Sequence, residues 1–353
     1  MADQVTLRID DQDWGGWESV RIMQSMTAVS RAFELSLTDR WPGQTSYQPI
    51  APGKSVEVRI NGERVVSGWI DSVSPSYSPR DHTISVAGRD KTADLVDCSA
   101  MNDPGQWRGA RLNEIISDLL KPFGIGLMVQ TDLGKPFDEF SIDKGETAFE
   151  SLERLCRMRA VLATTDGSGN VVLTRGGAGG SMGVELRRGE NILQASASFD
   201  HRDRGHEYIV RAQLPPTIDY FNQGKTEHAL EARVNDAGVR RHRPMLIMAE
   251  QAADQQAVAD RARWEAVVRA ARARTATITV QGWSAGSKLW TPNTTVVVRD
   301  DWLGLDQTMI IAGATFEKSA SGTRTTLELQ PPGAYELLPE LPKPEKEELS
   351  WID

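Results

Sequence analysis

The chain has 353 residues, 39% of them hydrophobic and 25% charged, with a formal net charge of −9 at pH 7. These proportions suit a soluble globular protein with enough apolar material for a core in each of two to four domains, and they exclude disorder over most of the length. The acidic balance argues against a general nucleic-acid binder, which carries a basic face, and no segment approaches the ~20 apolar residues of a transmembrane helix.

The N-terminus, MADQVTLRIDDQDW, lacks a basic stretch followed by an apolar run, so no secretory signal is expected and the chain is read as folding in a cytoplasm. Cys98 and Cys156 lie far apart and form no CxxC, so both are expected to be reduced packing residues. Over the first hundred residues, Phe33, Leu35 and Leu37 alternate with polar residues, as do Val56, Val58 and Ile60, and then Ile84 and Val86. This period of two predicts strands with one buried face. Asn61-Gly62, between VEVRI and ERVVSGWI, predicts a type I′ hairpin turn, because both residues tolerate positive φ.

After Asp90 the pattern changes. Leu112, Ile115, Ile116, Leu119 and Leu120 follow the spacing of an amphipathic helix, which Pro122 and Gly124 end. A second helix is predicted from Thr147, where Thr147 and Glu150 form a capping box, with Phe149, Leu152, Leu155 and Cys156 as its apolar face. VLATTD and NVVLTR flank Gly167-Ser168-Gly169 as a hairpin. Strands return from Gly189, interrupted by an Ala-rich helix over 249–273. That helix carries Arg261, Arg263, Arg269 and Arg272 among acidic residues, and is read as a solvated or subunit-facing surface rather than a nucleic-acid helix. The last segment, rich in proline and charge, reads as an extended or disordered tail.

The expected fold class is therefore α+β, mainly β. Its parts are a first tube-type β-barrel domain over 1–100, a small α/β lobe over 101–185, a second β-barrel domain over 186–338 with the inserted long helix 249–273, and a tail over 339–353. The two β regions read as copies. PGKSVEVR, VVSGWIDSV and HTISVAG from Pro52 are followed in the same order by PNTTVVVR, IIAGATFEK and RTTLELQ from Pro292. Pro52 is matched with Pro292, Arg59 with Arg299, Gly68 with Gly313, and Val86 with Leu329. A ring of three such chains would present six similar barrels, able to meet a sixfold tube on one side and a threefold needle on the other.

Candidate chemistry is sparse. In Asp200-His201-Arg202-Asp203-Arg204-Gly205-His206-Glu207, the His-Arg-Asp lacks every other kinase element, and the histidines lack metal-site spacing. The cluster is read as a polar turn. Gly176 to Gly183 misses the third glycine of a dinucleotide fingerprint at Met182 and precedes a strand, so it is read as a flexible connector. No Walker A or GxSxG motif and no nucleophile with an evident base is present, so no enzyme, no cofactor and no metal is expected. Of the ten tryptophans, most are expected in packing; Trp283, Trp290 and Trp351 are the candidates for anchoring a partner interface.

The stretches GWIDSVSP and HTISVAGRDKTADLVDCSA (Gly68 to Ala100), GETAFESLERLCRMRAVLATTDGSGNVVLTR, RRHRPMLIMAEQAADQQAVADRARWEA and VQGWSAGSKLWTPNTTVVVRDDWLGL together resemble the baseplate hub proteins of Mu-like contractile-tailed phages, over nearly the whole chain. The resemblance implies a homotrimeric ring with two tube-like barrels per subunit, located in the virion tail baseplate after assembly in the host cytoplasm. Its implied partners are the tail tube protein above, the central spike protein below and the surrounding wedge proteins. The tape measure protein and DNA pass through the channel without specific binding, and no membrane insertion is implied. It brings no catalytic residues. The tryptophans and the 49 acidic residues leave one alternative open, a cell-wall carbohydrate-binding or peptidoglycan-hydrolysing tail protein.

Overall fold

Alternating burial turns the period-2 segments into strands. The computed structural model describes residues 3–38, 50–79, 82–213, 217–218, 225–226, 229–249 and 255–338. Besides the short strand Gln12–Trp14, six strands of the large sheet come from the first ninety residues: β1 (Val5–Ile9), β2 (Ser19–Ser25), β3 (Ala32–Thr38), β4 (Ser55–Ile60), β5 (Glu63–Tyr77) and β6 (His82–Asp90). Asn61 and Gly62 take φ of 50° and 86°, so the β4–β5 connection is the predicted two-residue turn with both central residues at positive φ. Six more strands come from the later part of the chain: β7 (Ser181–Arg187), β8 (Ile192–Phe199), β9 (Arg274–Gln281), β10 (Thr295–Asp300), β11 (Leu305–Ser319) and β12 (Gly322–Gln330).

The two sets have one plan. The first runs β2-β3-β6-β5-β4-β1 across the sheet, and the second runs β8-β9-β12-β11-β10-β7. The central three strands are 6, 15 and 9 residues long in both sets. Register fixes the equivalences. Ser55 faces Trp69 as Thr295 faces Ile310, and one extra residue is then inserted in each long strand: Asp71 between Ile70 and Ser72, Ala312 between Ile311 and Gly313. Such a bulge adds twist and bends the strand. Pro52–Pro292 and Arg59–Arg299 fit this alignment, but two of the sequence matches shift. Gly68 is the counterpart of Met309, not Gly313, and Val86 is the counterpart of Leu327. The glycines differ physically too: a Cβ on Gly68 would lie 2.0 Å from the Arg89 carbonyl oxygen, whereas one on Gly313 would meet the Glu328 side chain at 3.0 Å. The sets also differ at one end, where β1 runs antiparallel to β4 but β7 runs parallel to β10.

The sets are joined. β11 pairs antiparallel with β2, from Gly313 opposite Ser25 to Lys318 opposite Val20. With the short strand Gln12–Trp14 on β1, the result is one thirteen-stranded sheet. Its buried side chains form a single apolar cluster that includes Leu7, Ile22, Phe33 and Val58 from the first set and Ile278, Trp283, Phe316 and Leu327 from the second.

The helices patterned between 101 and 185 form. Helix α1 (Leu112–Leu120) buries Leu112, Ile115, Ile116, Leu119 and Leu120, and Gly124 at φ 63° follows its last turn. Helix α2 (Ala148–Arg159) is capped as predicted: the Thr147 amide donates to the Glu150 carboxylate at 2.8 Å, and the Glu150 amide donates to the Thr147 hydroxyl at 3.1 Å. The Gly167-Ser168-Gly169 hairpin packs on the start of β5. Arg64 donates to the Ser168 hydroxyl at 2.7 Å, and a Cβ on Gly167 would fall 2.3 Å from the Arg64 carbonyl oxygen. Arg31 spans the same boundary, donating to the carbonyls of Val65 and Thr165, both at 2.9 Å.

By backbone contacts the chain divides into two compact units. One comprises Met1–Cys156, Val161–Ser198 and Thr275–Pro332, and the other comprises Arg157–Ala160, Phe199–Arg274 and Gly333–Asp353. The second unit is built on a three-stranded sheet, Ala229–Asn235, Glu207–Gln213 and Pro244–Met248, with helix α3 (Gln255–Arg272) on one face. Val210 and Ala212 pack there against Val258 and Ala262. The predicted helix over 249–273 begins later than expected: the Ala249 amide donates to the Arg211 carbonyl at 2.8 Å and so extends the sheet, while 250–254 lie outside the described residues. On α3, Glu265 accepts from Arg261 at 2.8 Å and from Arg269 at 2.7 Å, while Arg269 also donates to the Asp203 carbonyl at 3.2 Å and Arg272 to the Ala334 carbonyl at 3.3 Å.

Candidate assembly surfaces

Two of the three tryptophans expected at an interface belong to the core. Trp283 is fully buried, its indole N–H donating to the Glu317 carbonyl at 3.1 Å. Trp290 is 4% exposed, and its indole N–H has no acceptor among the described residues. Both rings pack in the large sheet cluster. Trp351 lies outside the described residues. Among the described residues the most exposed indole is Trp302, in the turn before β11, with the Arg188 guanidinium 5.8 Å from its ring centre. The cysteines also separate. Cys156 is buried and its thiol is pushed up to about 12, chiefly by burial, so it stays protonated. Cys98 is exposed rather than packed.

The polar run 200–207 forms a clamp. Arg204, nearly buried, holds Asp236 with two bonds, Nε to Oδ2 at 2.5 Å and Nη2 to Oδ1 at 2.8 Å. These bonds hold the Asp236 carboxyl below the usual carboxylate range. His201 stands 3.2 Å from Arg204, and His206 Nδ1 accepts from the Arg243 amide at 2.8 Å. The Gly205 amide donates to the Tyr208 hydroxyl at 3.0 Å. Each of these groups serves a backbone or side-chain partner, which fits the polar-turn reading. No group of three or more His, Cys, Asp or Glu residues among those described is placed to hold a metal.

The glycine run is anchored by Asn293. Its Oδ1 accepts from the Gly177 amide at 2.7 Å, its carbonyl accepts from the Gly179 amide at 3.0 Å, and its Nδ2 donates to the Arg175 carbonyl at 3.0 Å. Asn293 itself sits at φ 67°, a conformation that Asn tolerates better than most residues. The run expected to be a flexible connector is thus tied to the start of β10.

Opposite the core, the sheet presents a polar face. A depression of about 540 Å³ lies across the β11–β2 joint. Ser36, Ser72, Ser74, Ser85 and Ser319 supply hydroxyls to it. Through it runs one cross-strand row: Arg324 faces Glu317, Glu317 faces Arg21, and Arg21 faces Glu34. Alternating charges on directly opposed positions support the pairing and leave the face close to neutral. A wall of hydroxyls and balanced charge offers no nucleophile paired with a base and no concentrated positive field for phosphate. Sequence reading missed this row, because its members come from residues 21 to 324 and meet only through register.

Comparisons with known proteins bear on this arrangement. Three family models match: "Mu phage baseplate assembly protein GpP-like, N-terminal" over residues 4–90, "Baseplate hub protein gp44-like, second domain" over 92–175, and "Mu phage baseplate assembly protein GpP, fourth domain" over 254–338. The baseplate hub protein gp44 of Escherichia phage Mu is 34% identical over 304 residues, covering 84% of this chain and 79% of that protein. The 43 kDa tail protein of prophage MuSo2 from Shewanella oneidensis superposes with a TM-score of 0.84 at 35% identity, over 95% of this chain and 100% of the other. A tail protein from Neisseria meningitidis MC58 superposes with a TM-score of 0.78 at 22% identity, over 95% and 98%, a likeness of fold.

Proposed function

This chain belongs to the gp44-like baseplate hub family of Mu-type phages, a structural component of the virion tail, and from that premise we propose that three copies form a ring that adapts a sixfold tail tube to a threefold central spike. The observation that carries the proposal is the duplicated six-strand set, joined where β11 of the second set pairs with β2 of the first. One chain then supplies two similar wall segments, and three chains supply six. On this reading each set behaves as a tube-type barrel domain, with 1–100 and 186–338 as the two domains, 101–185 as the lobe and 339–353 as a tail available for docking.

The polar face lines the channel. Serine hydroxyls and a charge-balanced row let the tape measure protein and then DNA pass without the counterion-releasing contacts that make phosphate stick. Wedge proteins surround the ring, and the role is structural, without catalysis. Sedimentation of the purified chain with its spike and tube proteins tests this directly. A complex with three hub chains per spike trimer is expected, and one hub chain per spike trimer would overturn the adaptor reading.

A further inference from the structure

Among the described residues several strand edges have no partner strand, and two of them match. β11 uses a single edge twice: Leu305–Ile310 pairs with β10, and Gly313–Lys318 pairs with β2. Its counterpart β5 uses the same edge once. β4 covers Glu63 to Trp69, and Ser72–Tyr77 has no partner strand on that edge among the described residues. At the other end of the sheet, β8 occupies the place in the second set that β2 occupies in the first. β8 pairs with β9, and its outer edge has no partner strand among the described residues.

We infer that β5 of one chain pairs antiparallel with β8 of the next, repeating between chains the β11–β2 ladder found within one. The inference rests on the ring reading and names the contact that closes it. Burial supports it. Within the chain, Phe316 is fully buried opposite the equally buried Ile22. At the open edges Tyr77 is 84% exposed and Leu193 is 52% exposed. Ala195 and Ala197 pack toward the core, so Leu193 shares the core-facing side of β8 and yet stands exposed beside the open edge.

Backbone direction agrees. The Met26 amide donates to the Ala312 carbonyl at 2.7 Å, which makes positions 312, 314, 316 and 318 those whose backbone groups point at β2. Their counterparts Asp71, Val73, Pro75 and Tyr77 point at the open edge. Pro75 carries no N–H, and a proline is tolerated where no bond to an existing neighbour is lost. The joint between chains then has one hydrogen bond fewer than the joint within a chain. Because β5 and β8 are different surfaces, the contact is head-to-tail, and it propagates until a ring closes.

The test uses the full chain with Cys98→Ser, to remove the exposed thiol. Four double variants place cysteines on Ser74 or Ser76 together with Ser196 or Ser198, all exposed positions on the polar side. Opposed residues of this non-hydrogen-bonded type lie about 4.5 Å apart between Cα atoms, within reach of a disulfide. Mild oxidation is expected to give covalent two-chain and closed three-chain species from at least one double variant and from none of the single variants. A three-chain native mass with no cross-link in any double variant overturns the edge pairing while leaving the ring. Cross-linking by a Ser74→Cys or Ser76→Cys single variant shows a twofold β5–β5 contact and overturns it as well. A chain that never associates overturns the pairing and the ring together.

Discussion

Phe316 of β11 lies directly opposite Ile22 of β2, and both side chains are fully buried where the second strand set meets the first. This contact turns two similar strand sets into one sheet with one core. Phe316→Ala is expected to cost about 3–5 kcal/mol and Ile22→Ala about 2–5 kcal/mol, as for large-to-small changes in a packed interior. Because the two side chains touch one joint, the double variant should cost less than the sum by about 0.5–3 kcal/mol. Urea unfolding of the four proteins checks this, and strict additivity would count against a shared joint.

The charge row makes a second prediction. Arg21→Glu places three acidic residues side by side, at 34, 21 and 317, where two opposite-charge pairs stood. A loss of about 1–2 kcal/mol is expected, from opposed pairs worth about 0.2–1 kcal/mol each turned repulsive. The loss should shrink in high salt, because exposed charges are screened. A salt-independent loss would point to packing instead.

Arg204 and Asp236 give a pH dependence of defined sign. The folded Asp236 carboxyl titrates below its unfolded value, so its contribution is present above about pH 4 and is lost as pH falls through the depressed value. Asp236→Ala leaves a nearly buried guanidinium without its partner, at a cost of about 3–5 kcal/mol. The variant should also lose this part of the acid sensitivity. Stability measured from pH 7 to pH 3 reads both, and an unchanged acid slope would show that the pair does not supply it.

Gly167 tests how the lobe docks. Gly167→Ala puts a methyl 2.3 Å from the Arg64 carbonyl oxygen, so backbone must shift, at about 1–3 kcal/mol. Gly15→Ala meets no atom within 4 Å and should stay within about 0.5 kcal/mol of the parent. Equal effects in thermal unfolding would deny that the hairpin tip is packed.

The reach of sequence reasoning follows from how local each signal is. Asn61-Gly62, the Thr147–Glu150 box and the apolar spacing of α1 each lie within a few residues, and each forms as expected. The plan of the second strand set was visible because its polar and apolar residues recur in the order of the first. Residue type aligns Gly68 with Gly313, whereas the fold pairs positions around the bulges at Asp71 and Ala312. The β11–β2 joint carries no local mark, since Gly313 and Ser25 stand far apart in the chain and meet through a short ladder. Trp283 and Trp290, candidates for an interface by sequence, lie buried for a related reason. A tryptophan beside a glycine or a proline reads equally as an anchor or as core, and only the sheet packed around it decides.

The tail also yields a prediction. The matched family region ends at residue 338, so removing 339–353 is expected to leave unfolding of the chain unchanged while weakening its docking on tail partners. A truncated chain that no longer folds would move the domain boundary.

The most direct measurement of the ring is an end-on electron-microscopy image of the assembled hub. A closed ring of three chains showing six similar β modules around an open channel is expected. A monomer, or a closed twofold dimer without a channel, would contradict it.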